Sequence, residues 1–261
     1  MRLFLTTTAS FLFALSVAGP AAAKNLTVIA ANLPPMMDEK GQGREADILR
    51  EAFECAGHTI QFKVEPFTRH WETFKSGEGD VVTTVPIGMD FPGAVVSRHY
   101  IAYQNGASVL SAGGLSVKSL GDLAGKSAIT FIGGREILPG LKEAKLADVR
   151  EQADQLIHSN LLFAKRVDAV LGDGLIFAEY NRQLVERAKS GASLQFDPAQ
   201  PVTFTAIFPP NRFGAGFRDA SLKAGFDECI GKMEASGRIQ AINKTYIDKY
   251  RDTVGNQYVA Y

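Results

Sequence analysis

The chain has 261 residues, with 28 Lys and Arg balanced by 28 Asp and Glu, and 46% of its residues are hydrophobic. A chain of this length and apolar content can build one large core or two smaller ones. Zero net charge offers no extended basic field, which excludes nucleic acid as an expected partner.

Arg2 followed by the apolar run Leu3 to Val17 and the small-residue site Ala21-Ala22-Ala23 reads as a cleavable secretory signal over residues 1–23. Its apolar run is shorter than the ~20 residues a bilayer-spanning helix needs. The mature chain is expected from Lys24 onward as a soluble exported protein. In an oxidising compartment an even cysteine count favours pairing, so Cys55 and Cys229 read either as a disulfide or as two buried small hydrophobes.

Leu26 to Ala30 is a continuous apolar run ended by Asn32-Leu33-Pro34-Pro35, as for a strand buried on both faces. Ala46, Leu49, Phe53 and Ala56 recur at helical spacing and Gly57 supplies a stop, which predicts a helix over Arg44 to Ala56. A strand over Thr59 to Val64 and a short helix over Thr68 to Lys75 lead to the stretch GDVVTTVPIGMD at residues 79–90. This strand–helix alternation predicts a mainly parallel sheet covered by helices. Ligands in such sheets bind outside the carboxyl ends of the strands, where Thr83, Thr84, Val85 and Pro86 fall.

The pattern restarts after Tyr100. Gln104 to Leu110 and Ser127 to Ile132 read as strands, Ser119 to Leu123 as a helical turn, and Gln152 to Ala164 as a helix. Asp168 to Gly172 then repeats the acid-plus-apolar-strand unit of GDVVTT, suggesting two similar lobes. Leu222, Phe226, Cys229, Ile230 and Met233 share one helical face, and Ile239, Ile242 and Tyr246 continue it beyond Gly237. His58, His70, His99 and His158 form no metal-ligand spacing with one another or with a cysteine, so no metal and no cofactor are expected. No Gly-x-Ser-x-Gly or phosphate-binding loop is present. Trp71 with Phe74 reads as a core-facing helix edge, with the indole also able to line a cleft.

Taken in order, LTVIAANLPPM, the Gly43 to Leu49 helix start, GDVVTTVP, SRHY at Ser97 to Tyr100, SLGDLAGKSA, RVDAVLGD and the Gly237 to Tyr246 ending resemble the extracellular solute-binding proteins of family 3. These deliver polar amino acids and related solutes to ABC importers. The resemblance covers the whole mature chain and implies a periplasmic binding protein type II-like α/β fold, with two lobes joined by two crossing strands, near Tyr103 to Val109 and near Val202 to Phe208. Lobe 1 would comprise residues 24–106 and 205–261, and lobe 2 residues 107–204. It further implies a periplasmic monomer, without enzymatic activity, that closes on a small polar solute and is read by a membrane permease.

On this chain the resemblance places the ligand between the Leu33 to Met36 loop, Phe67, Thr84, Val85 and Pro86 of lobe 1 and Gly134, Arg135 and Asp173 of lobe 2. Asp173 would take a ligand ammonium, and the helix start at Gly134 and Arg135 would favour an anion. The family's arginine after the Thr-rich strand end is absent from Pro86 to Pro92, so Arg135 or Arg69 would have to replace it, unless the ligand lacks an α-carboxylate. The same fold also hosts exported lyases that resemble cyclohexadienyl dehydratases, in which Asp173 or Glu136 would act as an acid. A sensor domain of a receptor kinase is a third, less favoured reading.

Overall fold

The structure, a computed structural model, describes residues 23–258. The expected secretory signal falls, apart from its last residue, outside them. The strands in chain order are β1 (Asn25–Asn32), β2 (Thr59–Pro66), β3 (Val81–Pro86), β4 (Val95–Val96), β5 (Ile101–Tyr103), β6 (Asn105–Leu110), β7 (Ser127–Thr130), β8 (Asp148–Glu151), β9 (Ala169–Asp173), β10 (Val202–Thr205) and β11 (Asn211–Phe217). The helices are α1 (Arg44–Cys55), α2 (Arg69–Lys75), α3 (Gly134–Ile137), α4 (Leu156–Phe163), α5 (Gly174–Lys189), α6 (Ala220–Ala235), α7 (Arg238–Asp248) and α8 (Arg251–Val254).

Two sheets result. The first runs β2-β1-β3-β11-β4, with β5 also paired to β11, and the second runs β10-β6-β9-β7-β8. Strand β1 pairs in parallel with both β2 and β3. Its residues Val28, Ile29, Ala30 and Ala31 are accordingly buried on both faces, which explains why the run does not alternate. Strand β9 likewise sits between β6 and β7, and its five residues are all buried. The expected type II-like architecture, two α/β lobes, is the one observed.

The sheets are joined at a narrow waist. Strand β5 ends at Tyr103 and β6 begins at Asn105, so Gln104 alone separates the first sheet from the second; the chain returns between β10 and β11. Gln104 fastens both passages, because its backbone N–H donates to Asp173 Oδ2 at 3.0 Å and its Nε2 donates to the Phe208 carbonyl at 2.8 Å. Gly106 follows immediately, and a Cβ there would lie 2.2 Å from the Thr205 carbonyl oxygen, so only glycine lets the two passages approach this closely.

The helix expected over Gln152 to Ala164 is confined to α4, and the residues before it form β8. The 16-residue helix α5 was not anticipated. Gly172-Asp173-Gly174 reads as a turn, and Leu175, Ile176, Phe177 and Ala178 are all buried in succession, which masks the helical period. Helices α1 and α6 meet at Cys55 and Cys229, whose sulfurs lie at bonding distance, 2.10 Å, with Cα atoms 5.9 Å apart.

Candidate functional site

A pocket opens between the two sheets at the carboxyl ends of β3 and β9. Its first wall is built by Leu33 of the loop after β1, Phe67 and Trp71 at the start of α2, Thr84 and Pro86 at the end of β3, and Phe213 on β11. Tyr103 and Asn105 come from the crossing, while Phe131, Ile137, Gln155, Asp173 and Ile176 form the opposite wall. Its envelope, counted with the open solvent at its mouth, is about 460 Å³, and the space open to the centre of a water-sized sphere is about 30 Å³. The rings of Phe67 and Phe131, one from each wall, meet edge to face with centroids 6.4 Å apart.

Local structure turns the polar tips of this pocket away from its interior. Thr84 has a φ of 59°, a costly conformation for a β-branched residue, and is fully buried. Its hydroxyl donates to Glu45 Oε1 at 3.4 Å, and Thr83 Oγ1 accepts from the Ala31 N–H at 3.4 Å. Trp71 Nε1 donates to the Thr83 carbonyl at 3.3 Å. Glu45, at the start of α1, also accepts from the Tyr100 hydroxyl and, at 3.2 Å, from the Tyr103 hydroxyl. Burial raises the Glu45 pKa above the usual carboxylate range, opposed by these tyrosine hydrogen bonds and by the adjacent Arg44 charge. Arg44 is itself fully buried, donates to the Ala102 carbonyl at 2.5 Å, and lies over the rings of Tyr103 and Tyr258.

Asp173 lines the pocket, but its oxygens are engaged. Oδ1 accepts from the N–H groups of Leu175 and Ile176, capping α5, and Oδ2 accepts from Gln104 N–H and, at 2.5 Å, from the Tyr258 hydroxyl. Four donors fill the acceptor positions of a carboxylate, and none remains for a ligand ammonium. Burial raises its pKa, which the Tyr258 hydroxyl and Arg44 partly offset.

The residues expected at the site divide. Phe67, Thr84, Pro86 and Asp173 line the pocket. Val85 is fully buried in the core beside Phe74 and Phe91 instead. Gly134 is buried against Thr130, where a Cβ would approach Oγ1 to 2.4 Å. The expected anion site at this helix start is occupied from within: Arg135 N–H donates to Glu151 Oε1 at 2.9 Å, and Glu136 and Ile137 N–H both bond the Gly133 carbonyl. Arg135 turns its guanidinium onto the Val149 carbonyl, away from the pocket. Arg69 is exposed on the first turn of α2 and does not line the pocket. No Lys, Arg or His is among the lining residues. Tyr103, Asn105, Phe131, Ile137, Gln155, Ile176 and Phe213 were not anticipated; the one usable signal was the position of Tyr103 and Asn105 on the expected crossing.

No family model matches the chain, and no curated protein matches it. Many solved structures share its fold. An ancestral arginine-binding protein bound to glutamine superposes with a TM-score of 0.65 at 22% identity, covering 85% of this chain and 97% of its own. The GluR0 ligand-binding core in complex with L-glutamate gives 0.67 at 19% identity, with 89% and 99% covered. The arginine-, lysine-, histidine-binding protein ArtJ from Geobacillus stearothermophilus gives 0.63 at 21%, with 87% and 96% covered. The fold is that of the type II periplasmic binding proteins. In this fold the pocket described above occupies the cleft between the lobes, and among the described residues no group of three His, Cys, Asp or Glu could hold a metal ion.

Proposed function

We propose that this chain is an exported solute-binding protein of the family 3 kind, the periplasmic component that carries a small organic solute to the permease of an ABC importer. The observation that carries the reading is the pocket itself, walled from both sheets and closed by the Phe67–Phe131 contact, with two chain passages joining one sheet to the other among the described residues. A solute that touches both walls favours the closed arrangement by its differential affinity, and a permease can read that change. The arginine- and histidine-binding proteins that share the fold support the same class of ligand, a small amino acid or related organic solute. The secretory signal and the Cys55–Cys229 pair support a periplasmic location. As proposed, the protein works as a monomer with lobe 1 formed by residues 24–106 and 205–261 and lobe 2 by residues 107–204.

An enzymatic role finds no support in the cleft. Asp173 holds its carboxylate on four donors, and Glu136, the other acid considered, is exposed, paired with Lys142 at 2.8 Å and absent from the lining. The test is a thermal-shift screen of the mature protein against amino acids, amines, organic acids and neutral solutes, followed by chromatography of each hit. Saturable stabilisation with the solute recovered unchanged is expected. Consumption of a solute would replace this reading with an enzymatic one.

A further inference from the structure

We infer that the solute held in this cleft is an aromatic compound that carries no carboxylate. This rests on the reading of the pocket as a solute cleft and narrows it. Five ring systems face the pocket: Phe67 and Trp71 with centroids 5.4 Å apart, Phe131 opposite them, and Tyr103 and Phe213 with centroids 4.6 Å apart. Trp71 gives its N–H to the Thr83 carbonyl and Tyr103 gives its hydroxyl to Glu45, so both present ring surface to the cleft and keep their donors outside it. Ring faces and edges of this kind select another flat π system, neutral or cationic.

A carboxylate meets the opposite conditions. The two arginines that could have faced it are elsewhere, Arg69 exposed and Arg135 bonded to the Val149 carbonyl. The charged group that does line the pocket is Asp173, with Glu45 directly behind Tyr103. The buried Arg44 guanidinium behind Tyr103 donates to the Ala102 carbonyl and does not line the pocket. An anion would therefore leave water for a largely apolar enclosure with no base at its wall. Hydrogen bonding is left to neutral amides. Asn105 holds Asn211 Oδ1 at 2.7 Å, and Gln155 makes no side-chain hydrogen bond among the described residues, which suits a hydroxyl, amine or ring nitrogen on the solute. The narrow free space means that entry parts Phe67 from Phe131, which makes that contact the point where solute replaces protein.

The test uses matched compounds that keep or lose the carboxylate, with an amine and an alcohol in each set: L-phenylalanine, phenethylamine and 2-phenylethanol, and L-tyrosine, tyramine and 2-(4-hydroxyphenyl)ethanol, titrated calorimetrically into the mature protein. At least one carboxylate-free member of a set is expected to bind ten-fold or more tightly than its amino acid, and the amine and alcohol arms separate a cationic from a neutral solute. Phe131→Ala is expected to weaken that binding at least ten-fold. Phe131→Leu, which keeps most of the side-chain volume and loses the ring, should do the same with circular dichroism and thermal midpoint unchanged. Equal or tighter binding of the amino acids would overturn the inference and leave the solute-binding function standing. Binding of non-aromatic solutes alone would do likewise, whereas a full screen with no binding at all would overturn both.

Discussion

At the scale of single residues, Asp173 changes meaning most. The family resemblance gave it the role of a ligand acid, yet the same position is the N-cap of α5, and the cap, the crossing at Gln104 and the Tyr258 hydroxyl together use its oxygens. Asp173→Ala is therefore expected to lower unfolding stability by about 2–4 kcal/mol, since a cap and a buried hydrogen-bond network are lost together. Urea denaturation measures this, and a variant as stable as the parent would show that the network contributes nothing. The buried histidines give a second prediction. Burial lowers the pKa of His70 to about 4 and that of His158 to about 4, against the neighbouring charges of Glu65 and Asp154 respectively. An unfolded histidine takes up its proton near pH 6.5, so this contribution to stability is full above pH 6.5 and is lost as pH falls from 6.5 towards 4, by up to about 3 kcal/mol per histidine. Glu45 and Asp173, whose pKa values are raised by burial, act in the opposite sense, because the folded chain protonates them first as pH falls. Following the imidazole proton resonances by NMR against pH isolates the histidines. A midpoint near 6.5 for either ring would refute its buried neutral state.

At the scale of elements, local pattern was informative wherever one face of a helix or strand met one core. The stripe Leu222, Phe226, Ile230 and Met233 marks α6 because each of these side chains packs into the first lobe. Helix α5 hid because its first turns are buried on several sides, which removes the periodic signal. Strand β8 hid for the converse reason: three of its four residues are exposed, so it carries no apolar run at all. The junction of α1 with α6 carries the third prediction. A bond between Cys55 and Cys229 spans 174 residues. The chain-entropy model gives such a loop about 5 kcal/mol as an upper figure. Reduction, or Cys55→Ser with Cys229→Ser, is expected to lower the thermal midpoint of the mature protein, and the double variant should no longer respond to reductant. Two free thiols by mass spectrometry in protein purified from an oxidising compartment would remove the bond and the prediction with it.

At the scale of the whole molecule, two sheets share a waist one residue wide at Gln104 and a glycine, Gly106, that admits the second passage. In the proposed function the lobes move about this waist, and the pocket lies where that motion would open and close it. The sequence by itself determined the strand and helix alternation from β1 to β3, the two repeated acid-strand units and the absence of a base after Pro86, because each is written in adjacent residues. Of the residues that the family resemblance placed at the ligand, Phe67, Thr84, Pro86 and Asp173 line the pocket, and of these only Thr84 and Pro86 also followed from the residue pattern, as the carboxyl end of a buried strand. Only the tertiary structure decided which side chains face the cleft and with which atoms. Phe131 meets Phe67 across 64 residues of chain, Arg135 is drawn off to β8, and the four donors on Asp173 come from α5, the crossing and Tyr258. The physical reason is that a side chain's direction and its hydrogen-bond partners are set by neighbours distant in sequence. A residue's type and its position on an element therefore place it near the cleft without fixing what it offers there.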